Sequence, residues 1–145
     1  MCAALLVSLG PLVGGCVKHL HDLRQLPPTR VGTVSGSYDA LARCAATELQ
    51  AAPASTFATG LGNLLYQVGE RSAERSVTVT GMITPMGNTI PIVDFVFDGR
   101  NEDVTRIESR RSSAQGPRLE RQAWPYIERC AGRPVRLEPD LNAKP

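Results

Sequence analysis

Residues 76–83 read SVTVTGMI, and the reading of this octet decides the fold class. Val77, Val79 and Ile83 alternate with Thr78, Thr80 and Met82, and successive side chains of an extended chain point to opposite faces. The pattern predicts a strand with one face buried. Downstream, TIPIVDFVF (89–97) and DVTRIESR (103–110) continue in the same manner. Between them lie Met86-Gly87-Asn88 and Asp98-Gly99-Arg100-Asn101, which have the composition of hairpin connections. Pro91 has no N–H to give to a ladder, so its strand is expected at a sheet edge or at a bulge. Upstream, LGNLLYQVG (61–69) is a further candidate. The expectation is an antiparallel β-meander of three to four strands.

Helical signals flank the meander. VGTVSG (31–36) suits a short edge strand, and Ser35 or Ser37 can cap a helix by accepting from an orphan N–H. In SYDALARCAATELQAA (37–52), Leu41, Cys44, Ala45 and Leu49 fall on one face at helical spacing, and Pro53 stops the run. Near the end, RLERQAWPYIERCAG (118–132) is mixed, and Pro125 is poorly suited to a helix interior. The expected final helix therefore runs from Pro125 to Ala131, with Gly132 as its stop. The fold class is α+β: an N-terminal and a C-terminal helix packed on the meander.

Composition agrees with one small globular domain. The chain has 145 residues, 42% of them hydrophobic and 21% charged, with few aromatics at 5%. A formal charge of +2 is too small to argue for nucleic acid. Nine arginines stand against five acids between Arg100 and Arg136, a local excess that suits a solvated face or a surface for an anionic partner. Arg106, Arg110, Arg111 and Trp124 form the candidate contact surface. Asp94, flanked by Val93 and Phe95, is expected to face solvent or to pair with a neighbouring arginine such as Arg106. An exposed edge at the Pro91 strand or near Val31 is expected to accept a partner strand.

The opening decides the compartment. Met1 to Gly15 carry no charge, and Ala3 to Val13 are almost all apolar, too short a run to span a bilayer but suited to a secretory signal. Leu12-Val13-Gly14-Gly15-Cys16 resembles the lipobox of bacterial lipoproteins: an aliphatic residue, two small residues, then the cysteine. The resemblance covers about the first sixteen residues. It implies cleavage before Cys16, a diacylglyceryl group on its sulfur and an acyl group, commonly palmitate, on its amine. Val17 stands where an Asp would retain an enterobacterial lipoprotein at the inner membrane, which leans toward the outer membrane. Residues 1–15 would then be signal peptide, 16–30 a membrane-proximal tether stiffened by Pro27-Pro28, 31–138 the domain and 139–145 a flexible tail. With Cys2 in the signal and Cys16 lipidated, the resemblance leaves Cys44 and Cys130 as a pair, expected as a disulfide between the two helices in an oxidising compartment.

No catalytic constellation is expected. Cys16, His19, His21 and Asp22 are close together, but their spacing fits no usual metal pattern, so neither metal nor cofactor is expected. A nucleophile-histidine arrangement needs a histidine in the folded body, and both histidines precede Asp22. Asp98, Glu102 and Asp103 fall in a hairpin, where acids are ordinarily just solvated. The sequence therefore points to a periplasm-facing envelope lipoprotein with a binding or scaffolding domain, partnered by the membrane and other envelope proteins. The alternatives are an accessory subunit of a secretion, transport or outer-membrane assembly complex, and an envelope enzyme.

Overall fold

A computed structural model describes residues 19–53, 64–101, 103–112 and 115–139. In chain order the elements are α1 (Leu20–Gln25), β1 (Arg30–Ser35), α2 (Tyr38–Ala51), β2 (Leu64–Arg71), β3 (Ser76–Ile83), β4 (Ile90–Asn101), β5 (Val104–Arg111), α3 (Gly116–Ala131) and β6 (Arg136–Leu137). The strands make one antiparallel six-stranded sheet in the order β2-β3-β4-β5-β1-β6. The α+β class and the meander β2 to β5 agree with expectation, and the strand count exceeds it. β1 lies beside β5 with Arg30 opposite Ser109, and β6 adds two residues outside β1.

α2 and α3 cover one face of the sheet. Ser37 Oγ accepts from the Ala40 N–H, and Leu41, Ala42, Ala45, Ala46 and Leu49 are buried at helical spacing. The three alanines let the helix lie close to the strands. Beneath the helices sit Val77, Val79, Phe95, Phe97 and Ile107, which are buried with Leu119, Ala123, Trp124 and Ile127 of α3. A Cys44–Cys130 disulfide joins α2 to α3, with the two Cα atoms 5.8 Å apart.

Several details depart from the sequence reading. α3 is a 16-residue helix that contains Pro125 rather than starting there. Pro117 opens it, where a missing N–H costs nothing, and the buried stripe Leu119, Ala123, Trp124, Ile127 runs straight past Pro125. Pro125 itself is exposed, so the carbonyl that it leaves without a helical partner can be hydrated. Gly132 does end the helix, at a left-handed φ of 66°.

Pro91 lies at a bulge, where Gly81 opposes Val93 and Met82 opposes Pro91, leaving Ile92 as the extra residue. Its strand is interior, between β3 and β5, and β1 is covered by β6, so neither edge expected to receive a partner is free. Among the described residues the two outer strands are β2 and the two-residue β6, and no strand lies beyond β2. The second hairpin also turns later than composition suggests: β4 continues through Asn101, with a register irregularity after Asp98. Gly99 belongs there for packing, because a Cβ on it would sit 1.9 Å from Tyr38 Cδ1.

The largest departure is at the N-terminal side. The stretch read as a tether includes α1, which packs on the sheet face opposite α2 and α3, with Leu23 fully buried. β3 consequently has both faces covered, and Thr78 and Thr80 are buried along with Val77 and Val79. The packed body therefore extends back to Leu20.

Candidate functional site

Strand alternation builds the site. Val93 and Phe95 point into the helix-covered core, so Asp94 between them must point to the α1 side, and there it is fully buried. An ionised carboxylate in such a place needs partners. Thr80 Oγ1 donates to Asp94 Oδ1 at 2.6 Å, and Arg24 Nε of α1 donates to Oδ2 at 3.1 Å. The Arg24 Nη2 donates to Thr78 Oγ1 at 3.1 Å, and Thr78 in turn donates to the Gly69 carbonyl at 3.3 Å. One guanidinium thus ties α1 to β3 and β4.

The expected environment of Asp94, solvent or Arg106, is corrected on both counts. The register sets Asp94 opposite Arg110 and Asp98 opposite Arg106. The true partner, Arg24, lies 70 positions earlier, inside the stretch read as tether. The signal that could have found it is Leu20, Leu23 and Leu26 at three-residue spacing, one apolar stripe of a short helix.

Beside this ion pair a cleft of about 310 Å³ opens on the same face. Three guanidiniums border it (Arg24, Arg71 and Arg110), with the carboxylates of Glu74, Asp98 and Glu108 interleaved among them. Arg71 pairs with Glu74 at 3.1 Å, and Arg110 with Glu108 at 2.7 Å. Arg110 Nε also donates to the Leu26 carbonyl at 2.9 Å, which pins the end of α1. The guanidinium pKa of Arg110 is lowered, chiefly by burial, with the charge of Asp94 opposing and that of Arg71 assisting. Ser76, 4% exposed on the cleft wall, has an Oγ without a hydrogen-bond partner among the described residues. Charges of both signs suit the binding of a polar surface. The lining includes no histidine or cysteine among the described residues.

The four candidate contact residues do not all share one patch, although Arg106 and Arg111 border one hollow of about 540 Å³ with Arg30 and Glu138. Arg106 and Arg110 lie on the α1 side of the sheet, whereas Arg111, of opposite parity, reaches across to Glu120 of α3 at 2.9 Å. Glu120 is 2% exposed and also accepts from Thr29 Oγ1 at 2.5 Å and from Ser109 Oγ. This is a structural node fastening α3 to β5 and to the chain before β1. Trp124 is a core residue at 3% exposure, edge-on to Phe95 with ring centroids 6.2 Å apart and covered by the Arg30 guanidinium at 5.3 Å. It fills the space above Phe95 and takes no part in a surface. Arg106 pairs with Glu108 and, at 3.5 Å, with Glu138.

Asp22 accepts from the His19 backbone N–H at 3.2 Å and so caps α1. Among the described residues, no group of three or more His, Cys, Asp and Glu side chains is placed to hold a metal ion. Cys16 and the apolar opening lie outside the described residues. Among those described, no helix is long and apolar enough to cross a membrane. No protein-family model, curated protein or solved structure matches this chain.

Proposed function

We propose that this chain is a bacterial envelope lipoprotein, fastened through diacylglyceryl and palmitoyl groups on Cys16, whose α+β domain binds or scaffolds other envelope proteins without catalysis. Its compartment is periplasm-facing, at the outer membrane. The observation that carries the reading is the Cys44–Cys130 disulfide between α2 and α3. Such a bridge persists in exported proteins and is rare in the reducing cytoplasm, so it supports the export read from LVGGC (12–16). The mixed-charge cleft around Arg24, Arg71 and Arg110 is the docking surface in this reading.

The test is an intact mass of the protein taken from the membrane fraction of its host, before and after reduction. The expected mass is that of a chain starting at Cys16 plus one diacylglyceryl and one acyl group, with two hydrogens gained on reduction. A full-length, unacylated chain with free thiols would overturn the reading. The more specific version, an accessory subunit of an envelope complex, draws on the interleaved charges of the cleft, which suit a protein surface better than a purely anionic one. Co-purification from cross-linked membranes, lost in Arg71→Glu, separates it from a free-standing scaffold.

A further inference from the structure

We infer that the β2 edge of the sheet, beyond which no strand lies among the described residues, is the side of the domain that lies against the lipid bilayer, with Leu65 and Val68 at the boundary between headgroups and acyl chains. The inference rests on the lipoprotein reading, since it begins from an anchor at Cys16.

Covalent length supplies the first argument. Three residue steps separate Cys16 from His19, the residue just before α1, and three steps span at most about 11 Å. α1 starts at the β2 side: Leu20 flanks a hollow of about 180 Å³ together with Gln67, Val68 and Gly69 of β2. From there α1 crosses the sheet toward β5, where the Leu26 carbonyl takes its bond from Arg110. An anchor at Cys16 would therefore lie within about 11 Å of the end of α1 that flanks β2. The opposite edge, β6, is five strand spacings away, about 24 Å at ~4.8 Å each. So short a leash holds β2 at the membrane and leaves β6 far from it.

The surface of β2 supplies the second. Leu65 is 49% exposed and Val68 41% exposed. Their opposite parity puts one on the α1 side of the edge and the other on the α2 side, so both sides of the rim carry an aliphatic side chain beside the exposed Gln67 and Glu70. An open edge with large aliphatic side chains is ordinarily a liability for association with other strands. One backbone donor that such a partner strand would use is already taken, because the Tyr66 N–H is held by Gln50 Oε1 at 2.9 Å. This favours a fluid apolar partner over a second strand. Arg75, exposed just past the end of β2, is placed to meet anionic headgroups.

The test uses the lipidated chain purified from membranes, its lipid verified by intact mass, in vesicles of phosphatidylethanolamine and phosphatidylglycerol with acyl chains brominated near the headgroup. Leu65→Trp, Val68→Trp and Leu137→Trp each add one reporter to the buried Trp124, and the unsubstituted chain supplies the baseline. The added fluorescence of Leu65→Trp and Val68→Trp should be quenched at least twofold, while Leu137→Trp on β6 should match the baseline. Circular dichroism with the disulfide intact checks that each variant is folded. Quenching of Leu137→Trp equal to that of Val68→Trp, or no quenching at β2, would overturn the orientation even on a verified lipidated chain. Cross-linked dimers through Val68 in place of quenching would also overturn it, by showing that a second copy covers the edge. Absence of lipid in the mass would instead remove the anchor, a failure of the lipoprotein reading itself.

Discussion

Reducing the Cys44–Cys130 bridge should lower the melting temperature of this domain by a large and calculable amount. The two cysteines are 86 positions apart, so the bond closes a loop of 87 residues counting both ends (130 − 44 + 1). Chain-entropy arithmetic for such a loop gives about 4–5 kcal/mol at 25 °C, nearly all of it from restricting the unfolded chain. In the folded state the helices are already apposed: Leu41, Ala45 and Leu49 of α2 belong to the same core as Ala123 and Ile127 of α3. The native contacts should therefore survive reduction while the unfolded ensemble expands. For a domain of about 120 residues the melting entropy is about 0.25 kcal/mol/K, which converts the loss into a fall of about 16 to 20 °C. The assay is thermal unfolding followed by circular dichroism at equal protein concentration, with and without reductant, and on Cys44→Ala and Cys130→Ala. The denaturant m-value should rise on reduction, because the freed chain exposes more surface when it unfolds. A fall of less than about 3 °C with an unchanged m-value would refute the reasoning, since the loop would then be constrained by something other than the bridge.

Three further outcomes follow from the geometry. Arg24→Ala leaves Asp94 buried without its cation and should cost about 3 kcal/mol; in an Asp94→Asn background the same change should cost at least 1 kcal/mol less, and a coupling under about 0.5 kcal/mol by denaturant melts would count against the clamp. Pro125→Ala restores a helical N–H at an exposed site and should stabilise the domain by about 1–3 kcal/mol, whereas a lower melting temperature would show that the proline shapes the α2–α3 contact. The Tyr66 hydroxyl has its pKa raised, first by burial and then by Tyr126. A raised folded value means that stability is intact below the ordinary tyrosine pKa of about 10 and is lost as pH climbs above it, because the unfolded chain releases the proton first. Tyr66→Phe should flatten this alkaline limb in melts taken from pH 8 to 11, and an unchanged limb would put the lability elsewhere.

The sequence by itself determined what depends on local pattern. Alternation in residues 76–83 and the apolar runs after it are enough to specify β3, β4 and β5, because the side-chain period of a strand is two. Ser37, Pro53 and the Leu41–Leu49 stripe likewise bound α2, and Gly132 ends α3. The pairing of Cys44 with Cys130 was legible once the other two cysteines were assigned to the apolar opening. What tertiary structure alone decided are the contacts between residues remote in sequence. Arg24 has no local feature that names Asp94, and the six-residue helix that carries it is too short to persist without the sheet beneath it. Pro125 argues locally for a helix start, but the core stripe on either side of it outweighs one lost hydrogen bond at an exposed turn. Trp124 and the arginines were separated for the same reason: which face a strand residue occupies is local, while what covers that face is not. Placing α1 over the polar face buried Asp94, Thr78 and Thr80, because burial depends on elements that meet only when the chain folds.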